Sequence, residues 1–168
     1  MIKVSDYIFK SLVEHSTART VFLLPGGGCM HLVDSLGRNP QLKYVCTLHE
    51  QAAVIAAEAY AQFNGDIGIA LVTAGPGSTN AITGLAGAWI DSTPLLILSG
   101  QAKTSDLRHH FGVRQMGIQE VDTCAIVSPL CKYAKCLLDP STIRCELEKA
   151  LYLARHGRKG PVWLDIPL

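Results

Sequence analysis

The sequence has little charge, no excess of either sign, and no long apolar run. Charged residues make up 17% of the 168, and the formal net charge is +1. That balance lacks the basic footprint of a nucleic-acid binder. No apolar stretch approaches the ~20 residues of a membrane helix. The first residues, with Lys3, Ser5 and Asp6, form no apolar leader. The six cysteines include no C-x-x-C pair and no zinc spacing. They are expected to be reduced thiols acting as small hydrophobes in a cytoplasmic protein, with room for one reactive thiol. Neither G-x-x-x-x-G-K-[ST] nor a helix-opening G-x-G-x-x-G occurs, so the specific nucleotide signatures are absent. Internal repeats, linkers and low-complexity segments are also missing.

What remains is rich in core-forming residues, with 48% hydrophobic. A chain of this length suits one domain with a sizeable core. Apolar strands alternate with helical patterns. Strands are expected at 21–24, 43–48, 67–73, 94–99, 133–137 and 161–166. Helices are expected at 5–15, up to about 36, 51–64, 78–90, 119–126 and, capped by Ser141, up to Gly157. The last should bury Ile143, Leu147, Ala150, Leu151 and Ala154. This alternation predicts a three-layer α/β/α domain with a six-stranded, mostly parallel sheet. The small residues Gly84, Ala86, Gly87 and Ala88 read first as close helix packing, with a subunit interface as the alternative. The basic run at 155–159 follows a helix, where cations suit the dipole.

In such sheets ligands gather beyond the carboxyl ends of the strands. Three unusual segments fall there: Pro25-Gly26-Gly27-Gly28, His49-Glu50, and Gly75-Pro76-Gly77-Ser78-Thr79-Asn80. Glycine-rich turns before helices allow close backbone approach to an anion, or simply make tight connections. Glu50 is the most informative of these residues. It stands where a β-rich stretch becomes a helix of small and apolar residues, about 100° away from the polar stripe of Gln51, Glu58 and Gln62. Two readings are open. Thr47-x-x-Glu50 matches a helix capping box, and a carboxylate in that place also suits catalysis.

Taken in order, these segments resemble the thiamine-diphosphate enzymes, and within them the acetolactate synthase group, in its N-terminal pyrimidine-binding domain. The resemblance runs through Val21-Phe22-Leu23-Leu24-Pro25-Gly26-Gly27, His49-Glu50-Gln51 and Thr73-Ala74-Gly75-Pro76-Gly77-Ser78-Thr79-Asn80. It continues through Asp91-Ser92-Thr93-Pro94, Ser99-Gly100-Gln101, Gln119-Glu120 and Gly160-Pro161-Val162-Trp163-Leu164-Asp165-Ile166-Pro167. It covers nearly the whole chain and favours the catalytic reading of Glu50. It implies that Glu50 hydrogen-bonds N1′ of the thiamine diphosphate aminopyrimidine, favouring the imino tautomer that removes the thiazolium C2 proton. It implies that Leu24, Pro25, Gly26, Pro76 and Asn80 line the pyrimidine pocket, and that Gln119 faces cofactor and substrate. The substrate implied is a small 2-oxo acid, decarboxylated with or without carboligation.

Two departures from the family pattern stand out. Leu23 replaces a usual glycine, which is expected to narrow the pocket. The stretch between Gln101 and Gln119 is about six residues longer than is typical of the family, and it carries Arg108, His109, His110, Arg114 and Gln115. Such a loop suits an acidic group on the substrate, a lid, or plain solvated surface. The family holds the diphosphate and Mg2+ on a second domain with a Gly-Asp-Gly motif, and no such motif occurs here. The expectation is a pyrimidine-binding domain that is inactive alone. It would work with a diphosphate-binding domain of the same or a partner chain, in a homodimer or homotetramer. One subunit of a two-chain 2-oxo-acid decarboxylase and a non-catalytic α/β binding domain are the alternatives.

Overall fold

The computed structural model describes residues 2–108 and 111–168; the loop residues His109 and His110 lie outside it. The elements in chain order are α1 (Val4–His15), β1 (Thr20–Leu23), α2 (Met30–Arg38), β2 (Lys43–Cys46), α3 (Glu50–Asn64) and β3 (Gly68–Val72). They continue with α4 (Pro76–Asn80), α5 (Ile82–Ile90), β4 (Leu95–Gln101), α6 (Thr123–Val127), β5 (Tyr133–Cys136), α7 (Ile143–Arg155) and β6 (Pro161–Pro167). The six strands form one sheet in the order β2-β1-β3-β4-β6-β5. The expected mostly parallel sheet is parallel in every pairing.

Alternate residues of each central strand serve opposite layers, as the two-residue period of a strand requires. On β3, Ile69 and Leu71 join α1, α2 and α7, whereas Ala70 and Val72 join α3 and α5. On β4, Leu96 and Leu98 face the first layer, and Leu95 and Ile97 the second. On β6, Val162 and Leu164 divide from Trp163 in the same way. Burial on both faces explains why these strands read as continuous apolar runs. Strand β2 is exposed along its length because it is the sheet edge. Leu23 belongs to the α1/α2/α7 layer and is buried there. Its side chain enlarges that core, on the face opposite α3, and does not narrow the presumed pocket.

The strand ends move by one or two residues, β2 stopping at Cys46 and β4 running on to Gln101, and three helices depart from the sequence pattern more instructively. The helix expected over 78–90 is two, α4 and α5, joined at Ala81. The Ser78 hydroxyl is drawn back to the Thr73 carbonyl (2.6 Å), and Ala81 N bonds Ser78 O at 3.1 Å, a tightened last turn. The helix expected from 119 starts at Thr123, where the Asp122 carboxylate accepts from Ala125 N. Before α7, Asp139 and not Ser141 is the cap: its carboxylate accepts from Ser141 N and opens a short 3-10 turn. The face of α7 buries the five residues expected of it.

Candidate active site

The strand order reverses between β1 and β3, since β1 leads outward to β2 and β3 leads to β4. Crevices at such switch points, beyond the carboxyl ends of the strands, are where ligands bind in open α/β sheets. The turns after β1, β2 and β3 all end there.

Glu50 is the first residue of α3, and the cap before it is His49, whose Nδ1 accepts from Gln51 N at 3.2 Å. The capping box expected of Thr47 and Glu50 does not form. Thr47 instead continues the β1–β2 pairing, with its N bonded to Leu23 O (2.8 Å) and its hydroxyl donating to His49 O (2.9 Å). With the helix starting at Glu50, its side chain is too early to reach back to a cap residue. The carboxylate turns inward and is 7% exposed. Asn80 Nδ2, from the last residue of α4, donates to its Oε2 at 2.9 Å. The other oxygen, Oε1, lies beside Gly77, where an added Cβ would stand 3.1 Å from Oε1 and 2.5 Å from Thr73 Cγ2. Only glycine at 77 leaves that side of the carboxylate clear.

Thr73, which the sequence did not single out, organises the turns. Its hydroxyl accepts from Gly28 N at 3.1 Å, and its side chain fills the space where Gly26 would carry a Cβ. A Cβ on Gly28 would stand 2.7 Å from Ala74 Cβ, and one on Gly100 would overlap the Gly28 carbonyl. Gly26 and Gly28 are thus small because the protein packs against them, whereas Gly27 has open space around it. Leu24 and Gly26 are half-buried, and Pro25, Pro76 and Asn80 are exposed on the rim around Glu50. A polar residue ending an otherwise apolar strand was the available signal for Thr73.

Gln119 reaches the same crevice from the long loop. Its φ is +55°, a left-handed conformation uncommon outside glycine. It sits against Gly75, φ +62°, whose missing Cβ would overlap the Gln119 carbonyl. The next residue, Glu120, is buried and accepts from Arg108 N (2.6 Å), Met116 N (3.1 Å) and Gly117 N (3.0 Å). Burial alone would raise its pKa, but these three donors hold it below the ordinary glutamate value.

Farther along the sheet, Asp165 on β6 is 1% exposed and accepts from Trp163 Nε1 (2.6 Å) and Gln101 Nε2 (3.3 Å). Burial pushes its pKa up to about 6 despite these donors. All six cysteines are free thiols. Burial raises the pKa values of Cys29, Cys124, Cys131 and Cys136, which makes them poor nucleophiles. Among the described residues no group of three or more His, Cys, Asp or Glu side chains could hold a metal ion. No helix among them is long and apolar enough to cross a membrane.

Comparison with known proteins gives the family of the chain. Residues 2–126 match the family described as "Thiamine pyrophosphate enzyme, N-terminal TPP binding domain". The chain is 38% identical over 167 residues to the acetolactate synthase isozyme 3 large subunit of Escherichia coli, which covers 99% of this chain and 28% of that protein. It is 38% identical to the acetolactate synthase large subunit of Lactococcus lactis (97% of this chain, 27% of that one). It is 36% identical to the chloroplastic acetolactate synthase of Arabidopsis thaliana (98% and 24%). The chain therefore spans about a quarter of the length of these relatives.

Proposed function

The chain belongs to the thiamine pyrophosphate enzymes, in the family of their N-terminal TPP-binding domain, and on that premise we propose that it supplies the cofactor-activating half of an acetolactate synthase-like active site. The observation that carries the proposal is the buried Glu50 carboxylate. One oxygen is fixed by Asn80, and the other is kept clear by Gly77. A buried carboxylate with a single side-chain donor and a cleared flank fits a ring nitrogen as its second partner.

Thiamine diphosphate, when bound, supplies the electron sink for loss of CO2 from a 2-oxo acid. The work of this chain is to bind and tune it. Glu50 Oε1 holds the proton shared with N1′ of the aminopyrimidine. Asn80 Nδ2, donating to Oε2, sets the plane of the carboxyl group. Leu24, Pro25 and Gly26 from one turn and Pro76 from the other form the walls, and Gln119 faces the cofactor and substrate. The diphosphate and its Mg2+ are assigned to a further domain of the same or a partner chain, in a homodimer or homotetramer. The cytoplasmic setting expected of six reduced cysteines belongs to this reading. The runner-up functions, a subunit of a two-chain 2-oxo-acid decarboxylase and a non-catalytic α/β binding domain, differ from it in a simple way. The first still needs Glu50, and the second does not.

The deciding variant is Glu50→Gln in the full-length protein, assayed for 2-oxo-acid turnover with thiamine diphosphate and magnesium. Glutamine keeps size and burial but cannot exchange a proton. Turnover is expected to fall at least about a hundredfold, with the melting temperature nearly unchanged. Turnover close to the parent's would overturn the role of Glu50, and a parent with no turnover would leave the non-catalytic reading.

A further inference from the structure

Most of the described residues of the long loop before Gln119 lie at the surface. Residues 111–116 are exposed, and beneath the loop lies a cavity of about 500 Å3 bordered by Leu107, Val113, Leu138 and Asp165. Leu107 is its buried apolar anchor, and Gly117 packs so closely on Ala102 that a Cβ would overlap. Arg108 pairs with Asp122 (3.5 Å) and Gln115 Nε2 donates to Gly117 O (2.9 Å), but one side chain ties the two ends of the loop together. Glu120 accepts from Arg108 N at the start of the loop and from Met116 N and Gly117 N at its end, and its own N donates to Gly117 O at 3.2 Å.

Between that clamp and the Glu50 crevice stands a strained contact. Gln119 (φ +55°) and Gly75 (φ +62°), from segments far apart in the chain, are both left-handed, and the Gln119 carbonyl occupies the place of a Gly75 Cβ. A non-glycine residue held this way costs on the order of 1 kcal/mol or more. It persists only where its surroundings over-determine it. Glu120, the adjoining residue, is fixed at both its backbone and its carboxylate and supplies that constraint. Gly75 in turn caps the helix that carries Gly77 and Asn80, with Thr79 N bonded to its carbonyl at 3.0 Å.

We propose that Glu120 is a positioning residue for the Glu50 site: by collecting three loop amides it presses the Gln119 peptide onto Gly75 and so fixes the turn that places Gly77 and Asn80 around Glu50. The proposal rests on the function assigned above, but its first readout does not. Hydrogen exchange of the full-length protein reports the coupling directly. In Glu120→Gln the amide must turn its own donor toward one of the loop N–H groups. Exchange is expected to quicken at least about tenfold within 108–119 and also within 75–80, and kcat for the 2-oxo acid to fall by about tenfold or more, with the KM for thiamine diphosphate much less changed. Glu120→Asp, which keeps the charge but is a methylene short, is expected to fall between parent and Glu120→Gln in both measurements. Leu107→Ala loosens the loop elsewhere and is expected to quicken exchange within 108–119 alone, with kcat retained. Faster exchange confined to 108–119 in Glu120→Gln, with parental kcat, would show a loop anchor and no more, and parental exchange throughout would overturn the proposal entirely. If the parent shows no 2-oxo-acid turnover, the assigned function fails, while exchange at 75–80 still decides the coupling.

Discussion

Glu50 and Asp165 are both buried carboxylates near the carboxyl edge of the sheet, with opposite surroundings. Each oxygen of Asp165 already has a donor, Trp163 Nε1 on Oδ1 and Gln101 Nε2 on Oδ2. It is therefore read as a structural charge. Its folded pKa of about 6 lies above the ~3.9 of an unfolded aspartate. The stability linked to this group is thus fully present below about pH 4 and is lost as pH rises toward 6. Glu120 has the opposite sign: its depressed pKa gives stability that is lost only as pH falls below the ordinary glutamate range. Urea unfolding of the parent and of Asp165→Asn between pH 4 and 7 separates the two. The parent is expected to lose on the order of 2 kcal/mol relative to the variant across pH 4 to 6. A difference that does not vary with pH would remove Asp165 as the source. The inward burial of Glu50 was legible in the sequence because its position, at a strand-to-helix junction off the polar stripe, is a local property. The tasks of Thr73, Glu120 and Asp165 were not, since each depends on groups brought together from distant segments. The competing capping box was a sound local pattern, and it lost because the helix begins two residues later than that pattern requires.

At the level of elements, α3 is held at its site by α5, and Gly84 sets how closely they approach. A Cβ there would stand 2.7 Å from Val54 Cγ1 and 3.3 Å from the Ile55 backbone N. The packing reading of the small-residue run therefore holds at Gly84 and Ala88, which are both buried. Gly84→Ala sets two effects against each other. Alanine favours an interior helical position by about 1 kcal/mol, whereas overpacking a close contact costs typically 1–3 kcal/mol. Because the clash falls on Cβ and Cγ1 of Val54, a β-branched side chain with little freedom in a helix, the second effect should win. The melting temperature is expected to fall by a few degrees, and turnover of the full-length protein to fall as α3 shifts. A rise in melting temperature would mean that the helices separate freely. Regular periodicity made α1, α3 and α7 readable. The α4–α5 break and the late start of α6 were not, because side-chain bonds from Ser78 and Asp122 to nearby backbone override helical pattern there.

On the scale of the whole molecule, α3 is apolar on two sides. Ala53, Val54, Ala57 and Ala61 face the core, while Ala52, Ile55, Ala59 and Phe63 form an outward stripe at helical spacing. Phe63 is 91% exposed, and Ile90 at the end of α5 is 72% exposed. The polar stripe of Gln51, Glu58 and Gln62 accounts for one side of the helix only, and a second apolar stripe left exposed is a surface suited to another domain or subunit. This agrees with a chain that spans only 28% of its Escherichia coli relative. The 168-residue chain is therefore expected to form dimers or larger species in sedimentation velocity at micromolar concentration, and to turn over no 2-oxo acid by itself. The pair Ile55→Ser and Phe63→Ser removes exposed apolar surface without touching the core. It is expected to give a monomer whose melting temperature is close to the parent's. A parent chain that stays monomeric at high concentration would mean that the outward face of α3 is ordinary surface. Clear turnover by the 168 residues alone would mean that the diphosphate site lies within them, and the division of the active site between two domains would fall.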